Sequence, residues 1–259
     1  PDRAARVDFA YLQIESRRNT TLKIKVIMTD TATTRQTMDQ REIMLKRALS
    51  SDCEIRVECI QRGPTELDCN TDEAFAGAEM VLESIRAEKE GYDALVTYGF
   101  ADVAIDAMRE NVRIPVIGPG ETAVAAAGLI CNRFAVITTE TRNVARTYRR
   151  LMKYPAAQQK LTSVRPVDIY IGDMRSAPDT TRERLLALCR EIVEAERVDG
   201  IILGCLSMAG YGEYLEANLP IKVFEPAFIA VAYAELCARV GLCHTNASYP
   251  LFNNVSKVL

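Results

Sequence analysis

Short apolar runs recur along this chain. Each is followed by a tip of small, hydroxyl or acidic residues and then by a stretch of helical period. Leu22–Met28 (LKIKVIM), Phe134–Thr138 (FAVIT) and Asp199–Leu203 (DGIIL) are the clearest. Runs this short, rich in Val and Ile and lacking strict alternation, read as strands buried on both faces of a parallel sheet. Weaker runs of the same kind lie at Glu54–Ile60, Asp93–Tyr98, Ile114–Ile117, Asp168–Ile171 and Ile221–Phe224. The spacing predicts helices between them: Thr33 to about Ser50, Asp72–Glu88, Ala104–Glu110, from Glu121, Asn143–Met152, from Asp179, Tyr211–Asn218 and Ala227–Val240. Strand and helix alternate throughout, so the class is α/β with parallel sheets.

The pattern occurs twice. Tyr92-Asp93-Ala94-Leu95-Val96-Thr97-Tyr98-Gly99-Phe100 has the build of Val198-Asp199-Gly200-Ile201-Ile202-Leu203-Gly204-Cys205-Leu206, and aligning Asp93 with Asp199 sets Gly99 on Cys205 without a gap. Ile114-Pro115-Val116-Ile117 echoes Leu219-Pro220-Ile221-Lys222-Val223, followed by Glu121 and Glu225 respectively. Val26-Ile27-Met28-Thr29-Asp30-Thr31 matches Val136-Ile137-Thr138-Thr139-Glu140-Thr141. Two halves of similar design are expected: residues 22–117 with about 225–259, and residues 118–224. Gly118-Pro119-Gly120 is the expected hinge. Residues 1–21 carry four arginines around Val7–Ile14, lack the long apolar region of a signal peptide, and are treated as an extension.

Composition narrows the partners. A net charge of −3 over 259 residues gives no reason to expect nucleic acid or an anionic membrane, and no apolar run is long enough to span a bilayer. The 8 cysteines are scattered with no CxxC pair, which favours a reducing cytoplasm over a disulfide framework. With a single histidine, His244, near the C-terminal end, a zinc site or a Ser-His-Asp triad has little to draw on. His244 is read as a surface or capping residue.

Candidate chemistry lies at the strand tips, where ligands of open α/β sheets bind. Gly204 turns the chain and leaves Cys205 at such a tip. A thiol there is either a small core residue or an acid, base or nucleophile. Thr31 and Thr33 are read either as helix N-caps or as ligand contacts. Asp30 and Glu140 are read either as acidic caps favoured by the helix dipole or as bases for water. No glycine-rich phosphate loop or Walker lysine follows any strand, so no nucleotide cofactor is indicated.

Gly204-Cys205-Leu206-Ser207-Met208-Ala209-Gly210, Ile114–Gly118 with Glu121, Val136–Thr139 and Gly63-Pro64 together resemble the aspartate/glutamate racemase superfamily, most closely its hydantoin racemase branch. The resemblance covers roughly residues 22–250. It implies two pseudo-symmetric Rossmann-like lobes with parallel four-stranded sheets, an active site in the cleft between them, and no cofactor. It also implies one catalytic cysteine per lobe, one thiolate taking the Cα proton and the other thiol returning one to the opposite face. Cys205 falls on the second-lobe cysteine; the first-lobe position holds Gly99, which has no proton to give. Arylmalonate decarboxylases are similar in having Gly in the first lobe and Cys in the second, where the lone thiol protonates an enediolate. In this chain Phe100-Ala101 follow that Gly, and Glu140 stands where those enzymes have Tyr.

The expectation is therefore an enzyme without cofactor or metal that acts on a hydantoin-like ring, possibly a thiohydantoin, or on a small carboxylate. Cys205, Asp30 and Glu140 are the candidate catalytic residues. Thr29, Thr31, Tyr98, Gly99, Phe100, Thr138, Thr139, Leu206 and Ser207 are the candidate substrate contacts. The reaction needs only one thiol: hydrolytic removal of a ring substituent, as in a desulfhydrase, or one-sided proton transfer. An arylmalonate-decarboxylase-like lyase, a racemase with a non-Cys second base (Tyr98 or Asp102) and a catalytically lapsed ligand-binding relative stay open. By analogy with the family, the partners are a small-molecule substrate and further copies of the chain.

Overall fold

The structure is a computed structural model and describes residues 21–251. The extension of residues 1–21, apart from Thr21, and residues 252–259 of the tail lie outside the described residues. The elements run β1 (Leu22–Met28), α1 (Arg35–Lys46), β2 (Cys53–Cys59), α2 (Asn70–Lys89), β3 (Ala94–Tyr98), α3 (Ile105–Arg109), β4 (Val116–Ile117), α4 (Pro119–Ile130), β5 (Phe134–Thr138), α5 (Val144–Leu151), α6 (Pro155–Lys160), β6 (Leu161–Pro166), α7 (Asp173–Ser176), α8 (Pro178–Glu196), β7 (Gly200–Leu203), α9 (Gly212–Asn218), β8 (Lys222–Phe224) and α10 (Pro226–Val240). They form two parallel four-stranded sheets, ordered β2-β1-β3-β4 and β6-β5-β7-β8. Among the described residues the contacts divide the chain into a first unit, residues 21–97, 103–117 and 231–251, and a second, residues 98–102 and 118–230.

In the first unit β1 is buried at every position but Lys23, which is what its continuous apolar run demands of a central strand. Its one buried charge, Lys25, is matched by Glu83 at 2.6 Å, Glu58 at 2.8 Å and Glu90 at 3.2 Å, with the Tyr92 ring 5.2 Å away. Burial alone would lower the ammonium's pKa, but the bonds to Glu58 and Glu83 outweigh it and hold the group above its ordinary value. Removing one member of a buried ion network strands the rest. Lys25→Ala is therefore expected to lower the unfolding free energy by about 3 kcal/mol in urea titrations. A loss below about 1 kcal/mol would mean the carboxylates find other partners.

Helix α1 starts later than the pattern predicts. Its N-cap is Thr34, whose hydroxyl accepts from Thr37 N, rather than Thr31 or Thr33. Thr31 instead donates both its amide and its hydroxyl to Pro64 O. The half-buried His244 places its Nε2 2.7 Å from Val112 O, in the segment between α3 and β4.

The second unit's core packs α8 and the loop before α7 onto β5 and β7, with Leu185, Cys189, Ile192, Ile201 and Leu203 fully buried. One predicted strand is misplaced. Residues 168–171 form no strand; the edge strand is β6, reached through α6. The segment still packs on the sheet, since Val167 and Ile169 are buried and their amides bond to Thr138 O and Thr139 O. Asp168, however, takes a left-handed conformation at φ 50°, which ends the ladder, and its carboxylate accepts from Thr141 N and Oγ1. Gly118-Pro119-Gly120 is likewise not a break before a helix but the N-cap and first residues of α4. Among the described residues, no helix is long and apolar enough to cross a membrane.

Candidate active site

Each sheet reverses its strand order once, between β1 and β3 and between β5 and β7. In open parallel sheets the crevice beyond the strand ends at such a switch point is where ligands bind. The tips there are Thr29–Thr31 and Tyr98–Gly99 for the first sheet, and Thr138–Glu140 and Cys205 for the second.

Cys205 follows β7, whose four residues are all buried. Gly204 makes the exit possible: its amide bonds to Ile137 O at 2.7 Å, and a Cβ there would lie 2.8 Å from both Ile137 O and Val136 Cγ1. Cys205 is left half-buried in extended backbone and opens a 3-10 turn over Leu206–Met208, closed by Met208 N bonding to Cys205 O at 2.9 Å. The chain then reverses at Gly210, φ 101°. Glu225 secures this reversal by accepting from Gly210 N at 2.5 Å. Burial raises the Glu225 carboxyl above its ordinary value, while the amides of Gly210 and Gly212 pull it back. A side chain at Gly212 would collide with that carboxylate. Glu225 is thus a brace for the cysteine turn that the repeat in the sequence hinted at, without revealing its partner.

The tip after β3 belongs to the second unit and lies beside this turn. The buried Tyr98 hydroxyl donates to Leu206 O at 3.5 Å, and Phe100 Cε1 lies 3.3 Å from where a Gly204 Cβ would stand. Asp102, also buried, is left-handed at φ 51°. Its Oδ1 accepts from Gly120 N at 2.9 Å, and its Oδ2 from Glu121 N and the Tyr154 hydroxyl, both at 2.7 Å. Burial raises its carboxyl to about 7, opposed by the Tyr154 bond. Tyr98 and Asp102, the two residues considered as substitutes for a first-lobe thiol, thus both make hydrogen bonds within the second unit.

The other predicted residues occupy their expected tips. Thr29, Thr138 and Thr139 are buried, and Thr139 Oγ1 accepts from Asn143 Nδ2 at 3.0 Å. Leu206 is buried and Ser207 half-buried in the cysteine turn. Asp30 accepts from Thr33 N at 2.8 Å and Ala32 N at 3.1 Å, and Glu140 pairs with Arg142 at 2.9 Å. Among the described residues, no three His, Cys, Asp or Glu gather in a group that could hold a metal ion.

Comparison with known proteins gives the family and the fold. The Asp/Glu/Hydantoin racemase family profile matches residues 26–234. A hydantoin racemase of Pseudomonas sp. (strain NS671) is 28% identical over 220 residues, 85% of this chain and 87% of that one. The solved allantoin racemase from Klebsiella pneumoniae superposes with a TM-score of 0.82 at 22% identity, over 90% of this chain and 94% of the other. A solved unliganded arylmalonate decarboxylase superposes with a TM-score of 0.60 at 18% identity, over 84% and 93%.

Proposed function

Since the chain belongs to the Asp/Glu/hydantoin racemase family, we propose that it is a cofactor-independent enzyme for a hydantoin-like ring that uses Cys205 as its single acid–base group. The ring carbon between a carbonyl and a nitrogen is a carbon acid. When an enolate forms at this carbon, by proton abstraction or by loss of a substituent, the Cys205 thiol protonates it on the one face it reaches; abstraction and return by that thiol alone leave the compound unchanged and show only as exchange with retention. A thiol suits the task because its free pKa, about 8.5, lies close to working pH. The N–H groups of the β3 tip and of the cysteine turn, with the hydroxyls of Thr138 and Thr139, are the donors for the ring carbonyls and the developing enolate oxygen.

One observation carries this reading. Beside Cys205, the β3 tip carries no second thiol: Gly99 has no side chain, the Tyr98 hydroxyl faces Leu206 O, and the Asp102 carboxyl is held by Gly120, Glu121 and Tyr154. Family members that invert a centre need an acid on each face; with one thiol, protonation is one-sided. Hydrolytic removal of a ring substituent is less well supported, because it assigns water activation to Asp30 or Glu140. Asp30 is engaged with two backbone amides and Glu140 with Arg142.

The test is a panel of 5-substituted hydantoins, thiohydantoins, allantoin and arylmalonates, followed by carbon NMR and chiral chromatography. Proton exchange at the ring carbon of a hydantoin-type compound, with arylmalonates untouched, is the expected result. Decarboxylation of an arylmalonate would move the enzyme to the lyases. Binding without chemistry across the panel would make it a ligand-binding relative.

A further inference from the structure

We propose that Asp102 is a positioning residue, clamped between the N-terminus of α4 and Tyr154 so that the Gly99–Ala101 backbone is held beside the Cys205 turn. The inference rests on the reading above for what the tip does, but not for the clamp itself. Asp102 is the last residue of the tip, and its own amide closes the tip by bonding to Gly99 O at 3.1 Å. Its side chain then ties that closed turn to two other elements through three hydrogen bonds. The approach is tight enough to require glycine on the helix: a Cβ at Gly120 would lie 2.5 Å from Phe100 O and 2.8 Å from Asp102 Oδ2. Left-handed backbone at both Asp102 and Ala104, φ 51° and 55°, is a cost that only such over-determined packing sustains. From the other side, the Tyr98 hydroxyl joins the same tip to Leu206 O.

The clamp has a pH signature. The groups acting on Asp102 are Glu121 on α4, whose charge opposes ionisation, and the Tyr154 hydroxyl preceding α6, which favours it; Arg150 on α5 acts in turn on Tyr154. Clamped, the carboxyl titrates near 7; released into water, it returns to the ordinary range near 3.9. The clamped state therefore binds a proton the released state does not. Its stability is greatest below the ordinary range, declines as pH rises, and levels off above about 7. The neutral acid fits the site, since both of its oxygens keep lone pairs for the two amides. An asparagine does not, because its NH2 must face either Gly120 N–H or Glu121 N–H.

The measurement is amide hydrogen exchange by mass spectrometry on the peptides holding residues 98–103 and 118–123, corrected for intrinsic rates, from pH 4 to 9. Protection in the wild type should fall toward about pH 7 and then level off. In Tyr154→Phe the carboxylate loses a donor, so the decline should continue to higher pH. In Asp102→Asn protection should be roughly tenfold lower and flat. Turnover is followed in parallel. Asp102→Asn should lower kcat roughly tenfold or more with KM within about threefold, as expected for donors aimed at a developing charge. The same pH profile in all three proteins, or kcat unchanged in Asp102→Asn, would overturn the positioning role. If the wild type turns over nothing in the panel, the functional reading fails while exchange still decides whether the clamp exists. Circular dichroism checks the fold of each variant, and Tyr154→Phe serves should Asp102→Asn not fold.

Discussion

Cys205→Ala is expected to lower turnover by roughly a thousandfold, the scale of losing the only acid–base group at a carbon acid. The thiol sits half-buried at the end of β7, and removing one sulfur there opens little space. The turn that carries it is held by backbone bonds from Met208 N and Ala209 N and by Glu225 on Gly210 N, none of which involves the thiol. The melting temperature should therefore move by only a few degrees while kcat collapses. Progress curves by chiral chromatography give the rate and circular dichroism melts the stability. Activity within threefold of the wild type would remove Cys205 from the reaction, and a large drop in melting temperature would make its role structural.

Gly99→Cys is expected to create an activity that the wild type lacks: inversion of the ring carbon, from undetectable to rapid. Gly99 follows β3 in the second unit, beside the turn that carries Cys205. It is half-buried rather than enclosed. A new thiol supplies the acid that Gly99, with no side chain, does not. Adding side-chain volume to a fitted site costs about 1 kcal/mol or more, so the original proton exchange should slow several-fold while inversion appears. Scrambling of an optically pure substrate by the variant is read by chiral chromatography. A variant that exchanges protons yet never inverts would mean the added thiol does not face the reacting carbon.

How much of this could be read from the chain depended on the strength of each local pattern. The strands β1, β5 and β7 are legible because they lie at the middle of their sheets, and burial on both faces leaves continuous apolar runs. The edge strand β6, Leu161–Pro166, has a single buried residue, Val164, so its sequence carries almost no signal, and the short apolar run just beyond it reads as the strand instead. The cysteine turn was visible because Gly204 and Gly210 punctuate it. The Asp102 clamp was not: its partners Gly120 and Tyr154 lie 18 and 52 residues away, and nothing local in Phe100-Ala101-Asp102 marks a buried carboxylate. The same distance hid the contact of the Tyr98 hydroxyl with Leu206 O, 108 residues on. For Asp30 and Glu140 the sequence leaves a cap and a base for water both open; the structure adds that Asp30 Oδ1 accepts from Thr33 N and Ala32 N and that Glu140 pairs with Arg142.

Solvent isotope exchange on an optically pure 5-substituted hydantoin bears most directly on the one-thiol account. The wild-type protein is incubated with each enantiomer in deuterium oxide, and samples are read by mass spectrometry for deuterium and by chiral chromatography for configuration. A single acid–base group on one face predicts deuterium entering one enantiomer with its configuration retained and little or none entering the other. Deuterium appearing together with inversion at comparable rates would contradict the account, since a second group would then be delivering protons to the opposite face.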